Sequence, residues 1–160
     1  MLHIGLTQRV DDLPDRKERR EGLDHAWATW VLEAGHLPVL LPNQPAQAEN
    51  LLNELEIDAL ILTGGNDLSG LPEAKNAAPQ RDAFERNLLD IACRQRMPVL
   101  GVCRGMQMMV HYHGGRLIRI DGHVRVPHAV ACVGEGMPSL PRVEVNSFHS
   151  FGTRPELLPE

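Results

Sequence analysis

The chain has 160 residues, which is about one domain's worth of sequence and too short for a large barrel or two full catalytic domains. Sixteen Lys and Arg stand against 21 Asp and Glu, a net charge of −5 that argues against a general nucleic-acid binder. Apolar residues make up 42%, an ordinary globular share, and no apolar run reaches the roughly 18 residues of a membrane span.

Leu2–Thr7 reads as a first strand. A helix is expected from about Arg16 to Ala34, because Leu23, Trp27, Trp30, Val31 and Ala34 recur at the spacing of one buried stripe. Its mixed-sign start, Arg16 to Glu21, reads as a solvated helix face. Gly35 sits where a helix stops, and Leu37–Leu41 is a second strand closed by Pro42. Pro45 opens a helix to about Leu55. The nearly all-apolar run Ile57–Thr63 is expected to be a strand covered on both faces, broken by Gly64-Gly65-Asn66-Asp67. Leu68–Gln80 is a loop, Arg81–Arg96 a helix burying Phe84, Leu88, Ile91 and Ala92, and Pro98–Val102 another buried strand. Gly105–His113 is helical and ends at Gly114-Gly115. Short strands follow at Arg116–Ile120, Val124–Val133 and Arg142–Val145. Alternating strands and helices with short gaps imply βαβ units, a mostly parallel sheet and a single α/β domain over 1–160.

The chemistry concentrates at Gly101-Val102-Cys103-Arg104-Gly105. A buried strand runs straight into a helix, with a nucleophile between glycines. Such a turn tolerates no bulk on either side and lifts the nucleophile out at the sheet's carboxyl edge. The helix start favours thiolate over thiol, and the Arg104 N–H is placed as an oxyanion donor. A buried packing cysteine at a strand–helix junction is the alternative. Thr63-Gly64-Gly65-Asn66-Asp67 closes a neighbouring strand, and glycines there let backbone N–H groups approach a ligand.

Taken with Arg81-Asp82-x-Phe84-Glu85, Pro98–Gln107 and Val145-Asn146-Ser147-Phe148-His149-Ser150, these motifs resemble a class I glutamine amidotransferase. The branch they look most like is the γ-glutamyl-γ-aminobutyrate hydrolase-like group, peptidase C26. Thr7-Gln8-Arg9, Glu18-Arg19-Arg20 and Leu23-Asp24-x-x-Trp27 look like its small γ-glutamyl-CDP-amidate hydrolases. The resemblance implies a flavodoxin-like three-layer fold and an enzyme that hydrolyses a γ-glutamyl amide. Cys103 would form a γ-glutamyl thioester, and Gly65 and Arg104 would donate to the oxyanion. Gly64, Gly65, Asn66, Gln107, Ser147, Phe148 and His149 would bind the glutamyl head group. A glutaminase subunit serving a synthetase, and a non-catalytic regulatory module, are the other readings. The expected ligand is a small γ-glutamyl compound, with no cofactor, metal, nucleic acid or membrane; a homodimer or synthetase partner stays open.

The family's His-Pro-Glu motif near the C-terminus has no match, since no His-Pro pair occurs in this sequence. Truncation of a longer protein is the first expectation, ahead of a degenerate member or a takeover by His149 as base. Slow or absent hydrolysis by this chain follows from a thiol without its base. His111, His113, His123 and His128 form the other candidate cluster; solvated or pocket-edge histidines are favoured over a metal site, because neighbours two apart on a helix face different ways. Asp67 and Asp82 could cap a loop or helix as easily as bind substrate. Cys93 and Cys132 read as packing thiols. With an odd cysteine count and no charged start leading into a long apolar core, a cytoplasmic protein is expected.

Overall fold

The computed structural model describes residues 1–131 and 143–158. Along the chain run strand β1 (His3–Thr7), a hairpin of β2 (Arg9–Leu13) and β3 (Glu18–Gly22), helix α1 (His25–Glu33) and β4 (Leu37–Leu41). Helix α2 (Ala48–Glu54), β5 (Ala59–Leu62), α3 (Pro79–Gln95), β6 (Val99–Gly101) and α4 (Arg104–Tyr112) follow. The rest is made of short strands: β7 (Ile118–Arg119), β8 (His128–Val130), β9 (Val143–Val145) and β10 (Phe151–Gly152). Cys132 and parts of the two strands expected at Val124–Val133 and Arg142–Val145 lie outside the described residues.

Four parallel strands form the central sheet in the order β4-β1-β5-β6. Numbered by their turn in the sheet this is 2-1-3-4, the flavodoxin-like order, so the expected α/β parallel architecture is present. The order in which strands are added reverses at β1, and the crevice at such a switch point opens at the carboxyl ends of β1 and β5. The three antiparallel pairs, β2-β3, β7-β10 and β8-β9, lie outside this sheet.

Apolar periodicity explains the core. Phe84, Leu88, Leu89, Ile91 and Ala92 of α3 are buried with Leu60 and Leu62 of β5, Leu52 of α2 and Met108 of α4. On the other side of the sheet Ile4, Leu6, Val31 and Ile61 form a smaller cluster, with Leu23 and Trp27 packed on its margin. The expected stripe of α1 is therefore only partly buried: Val31 is inside, while Trp30 is 50% exposed and packs edge-on against Trp27. Strand β6 differs from expectation too. Leu100 is 45% exposed, because β6 is one of the two edge strands of this sheet.

The largest departure is at the N-terminus. Residues expected to begin a helix at Arg16 instead complete a hairpin, Arg9 opposite Gly22 through Leu13 opposite Glu18. Cross-strand Arg19–Asp12 pairing and a left-handed Lys17 at φ 53° close it. Asp24 then starts α1, its carboxylate accepting from the Ala26 N–H at 2.9 Å. The charged run is solvated, as expected, but as strand rather than helix.

Candidate active site

Two loops converge at the carboxyl ends of β5 and β6. An added Cβ at Gly105 would run into the Leu62 carbonyl oxygen, and one at Gly101 would lie 2.6 Å from Met109 Sδ. Only hydrogen fits at either place, and so α4 starts directly against the sheet. The Val102 N–H donates to Leu62 O at 2.9 Å, extending strand pairing up to the turn. Cys103 follows with φ 55° and ψ −110°, a backbone state that costs a non-glycine residue about 1–3 kcal/mol. The surrounding bonds hold it there: Gly105 N–H donates to Val102 O at 3.0 Å and Gln107 N–H to Cys103 O at 3.2 Å. The structure thus contains the strained elbow that the glycine spacing implies.

Opposite the thiol lies the Thr63–Asn66 loop. A Cβ built on Gly64 would fall 3.5 Å from Cys103 Cβ and 3.8 Å from its Sγ. Gly65 turns the chain at φ +82°. Arg81 clamps this loop from beneath. Its guanidinium donates to Thr63 O at 2.8 Å, Gly64 O at 3.1 Å and Gly65 O at 2.7 Å. In a planar trans peptide the N–H points opposite the carbonyl. Pinning the Gly64 and Gly65 carbonyls toward Arg81 therefore turns the N–H groups of Gly65 and Asn66 away from it.

Arg81 belongs to a buried network beneath both loops. It bonds Glu85 Oε1 at 2.8 Å, and both side chains are fully buried. Glu85 Oε2 also takes Arg104, whose guanidinium reaches on to Asp82 Oδ1. Asp82 Oδ2 receives the Ser69 N–H at 2.9 Å, so Asp82 anchors the loop. Asp67 has a similar role, accepting from the Lys75 N–H at 3.0 Å. The sequence reading missed Arg81 and Glu85 as site residues. Their signal was present: positions 81, 84, 85 and 88 share one face of α3, and a charged i,i+4 pair interrupts an otherwise apolar stripe.

Electrostatics at Cys103 correct one expectation. Desolvation by burial pushes the Cys103 thiol pKa up, outweighing the neighbouring Arg104 N–H and the Arg81 and Arg104 charges, all of which favour thiolate. One face of the residue reaches solvent while the remainder is shut in. Among the described residues no imidazole contributes to that shift.

A cleft of about 440 Å³ opens above the thiol. Gly65, Asn66, Cys103, Arg104, Gln107, Phe148 and His149 all line it. Gln107 Nε2 donates to Phe151 O at 2.8 Å, and His149 Nδ1 lies 3.0 Å from the same carbonyl. Phe148 is 63% exposed at the rim. Gly64 sits behind the wall against Cys103, and Ser147 is buried off the wall with its hydroxyl unpartnered. Asn66 is committed elsewhere: its amide donates to Val10 O at 2.9 Å and accepts the Val10 N–H at 2.8 Å. It fastens the hairpin to the glycine loop. His123 lies near both His128 and His149, with tilted rings whose centroids are 4.7 and 5.1 Å away, whereas His113 caps α4 beside Tyr112. Among the described residues no three or more His, Cys, Asp or Glu are grouped to hold a metal ion, and no helix is long and apolar enough to cross a membrane.

A 2-1-3-4 parallel sheet with a strained cysteine elbow facing a clamped Gly-Gly loop defines an α/β protein of the flavodoxin-like, amidotransferase-fold class. The Peptidase C26 family model matches residues 4–155, and the chain belongs to that family of glutamine amidotransferase-like enzymes. It is 36% identical over 153 residues to the γ-glutamyl-CDP-amidate hydrolase of Campylobacter jejuni, spanning 94% of this chain and 71% of that protein. Over 106 residues it is 32% identical to the γ-glutamyl-γ-aminobutyrate hydrolase of Escherichia coli O157:H7, covering 61% of this chain and 41% of that one. Among solved structures, a glutamine amidotransferase from Thermotoga maritima superposes with a TM-score of 0.66 at 19% identity, over 95% of this chain and 63% of the other. The chain thus spans under two thirds of that structure and less than half of the Escherichia coli relative.

Proposed function

We propose that this chain forms one domain that binds a γ-glutamyl amide in the Cys103 cleft and cleaves it by way of a γ-glutamyl thioester. The sulfur would form a bond to the γ-carbonyl carbon, and the C–N bond would break. The departing nitrogen takes up a proton, and water then releases glutamate. Gly65 and Asn66 N–H groups, turned outward by Arg81, and the Arg104 N–H would meet the developing oxyanion. Gln107, Phe148 and His149 would shape the site for the glutamyl group. The observation that carries this reading is the strained Cys103 at the start of α4, beside the Arg104 N–H and facing the Gly64-Gly65 loop.

The amine half is read from the Campylobacter relative, which matches over nearly the whole chain: a nucleoside-diphosphate amidate, whose nitrogen is bonded to phosphorus. Slow hydrolysis by this chain is the expected outcome. Its thiol is pushed toward the protonated form, and His149 engages Phe151 through Nδ1 without reaching the sulfur's balance of charges. A cysteine-directed glutamine analogue, read by intact and peptide mass, tests the site. Saturable labelling of Cys103 that glutamine suppresses is the expected result. Labelling that is unsaturable, or unaffected by glutamine, overturns it. Ammonia release from glutamine, compared with Cys103→Ala, is expected to be low but cysteine-dependent.

A further inference from the structure

A second cleft adjoins the first. It measures about 720 Å³ and lies between the β2-β3 hairpin and the loop at Lys75–Gln80. Asn66, Lys75 and Asn76 line both clefts, so the two adjoin beside the glycine loop. Arg9 stands at the junction. A Cβ on Gly65 would lie 3.1 Å from Arg9 Cβ and 3.3 Å from Cδ, so the stem of Arg9 covers the loop and its guanidinium reaches the second cleft.

Cationic groups from two elements meet there: Arg9, Arg19 and Arg20 from the hairpin, Lys75 from the loop. Lys75 makes no ion pair among the described residues. Arg9 bonds Asp11 and Arg19 bonds Asp12, in pairs whose side chains are 39–63% exposed. Solvated pairs of this kind are weak, and a diphosphate, with more charge and more acceptors, can take their guanidinium forks. Glu21, the remaining acid of the lining, is held by the Asn43 N–H at 2.9 Å. Asp11 and Asp12, once released, are acceptors suited to sugar hydroxyls.

We propose that this hairpin cleft is the binding site for the amine half of the substrate, with Arg9 and Lys75 holding a nucleoside diphosphate. The proposal rests on the reading of Cys103 as the nucleophile toward a γ-glutamyl amide. In a phosphoramidate-linked substrate the first phosphorus is one bond from the departing nitrogen, which matches an arginine lying directly over the glycine loop.

Titration of the whole chain with CDP by calorimetry, at low salt, tests it. CDP binds saturably, inorganic pyrophosphate competes, and cytidine at the same concentration does not bind. Arg9→Gln and Lys75→Gln each weaken CDP by about tenfold or more, as loss of a charge-assisted contact requires. Lys75 is exposed, so its variant keeps the fold even where Arg9→Gln disturbs the loop. Arg16→Gln, at the hairpin tip and off the cleft wall, leaves CDP binding unchanged. Absence of saturable CDP binding, equal binding by cytidine, or indifference to both substitutions overturns the site. The Cys103 labelling experiment is read independently: if it fails while arginine-dependent CDP binding holds, the acyl-transfer reading falls and the anion site stands.

Discussion

Replacing Glu85 with Gln isolates the energetics of the buried network. Glu85, Arg81, Arg104 and Asp82 balance two positive charges with two negative ones, and three of these side chains are at most 1% exposed. The amide oxygen of Gln can still accept from Arg81. Its NH₂ then faces the Arg104 guanidinium, donor against donor, with one cation uncompensated. Breaking a buried pair from one side costs about 3–5 kcal/mol. For a chain of this length that corresponds to a fall in Tm of roughly 6–20 °C. Urea unfolding at fixed pH and ionic strength, followed by circular dichroism, measures it. Adding Arg104→Met to the variant removes the stranded charge, and the double change should cost less than the sum of the two by about 0.5–3 kcal/mol. A loss under about 1 kcal/mol for Glu85→Gln, or strict additivity, would refute the view that these groups act as one charge-balanced unit.

Four further outcomes are expected. Gly105→Ala should lose at least about 3 kcal/mol or fail to accumulate as folded protein, since its Cβ meets the Leu62 carbonyl; wild-type stability would contradict the contact. Leu88→Ala should cost about 2–5 kcal/mol by chemical denaturation, because the side chain is fully buried in the main core. The thiolate is the reactive form, so alkylation of the Cys103 peptide, read by mass spectrometry, should keep accelerating above about pH 9, where an ordinary thiol with pKa about 8.5 levels off. A plateau below neutrality would reverse the sign of the shift. Asn66→Ala should leave the core intact yet make the Arg9–Gly22 hairpin the first site of limited proteolysis, as both of its bonds to Val10 are lost.

The sheet was legible because β1, β4 and β5 are short, apolar and bounded by Gly, Pro or polar turns. The elbow was legible because glycine spacing encodes close approach: Gly101 and Gly105 leave room only for hydrogen, and Gly65 adopts a positive φ. The hairpin was not. Arg16 to Glu21 has good helix formers and no alternating apolar residues, and its strand state depends on cross-strand partners such as Asp12 that lie outside any helical period. The arginine clamp was hidden for a related reason. Charged side chains read as surface unless their partners are known, and Arg104 is recruited from a different helix than Arg81 and Glu85. The thiol's raised pKa was equally out of reach, because it reflects how much water the folded cleft removes.

The Asn66 amide reads only the peptide group of Val10, not its side chain. Such a fastening is blind to sequence on the hairpin side. Substitutions along residues 11–22 can reshape the wall of the second cleft without loosening the glycine loop beside the thiol. In a lineage that must accept new leaving groups while keeping one acyl chemistry, this separates the part free to drift from the part that must stay still.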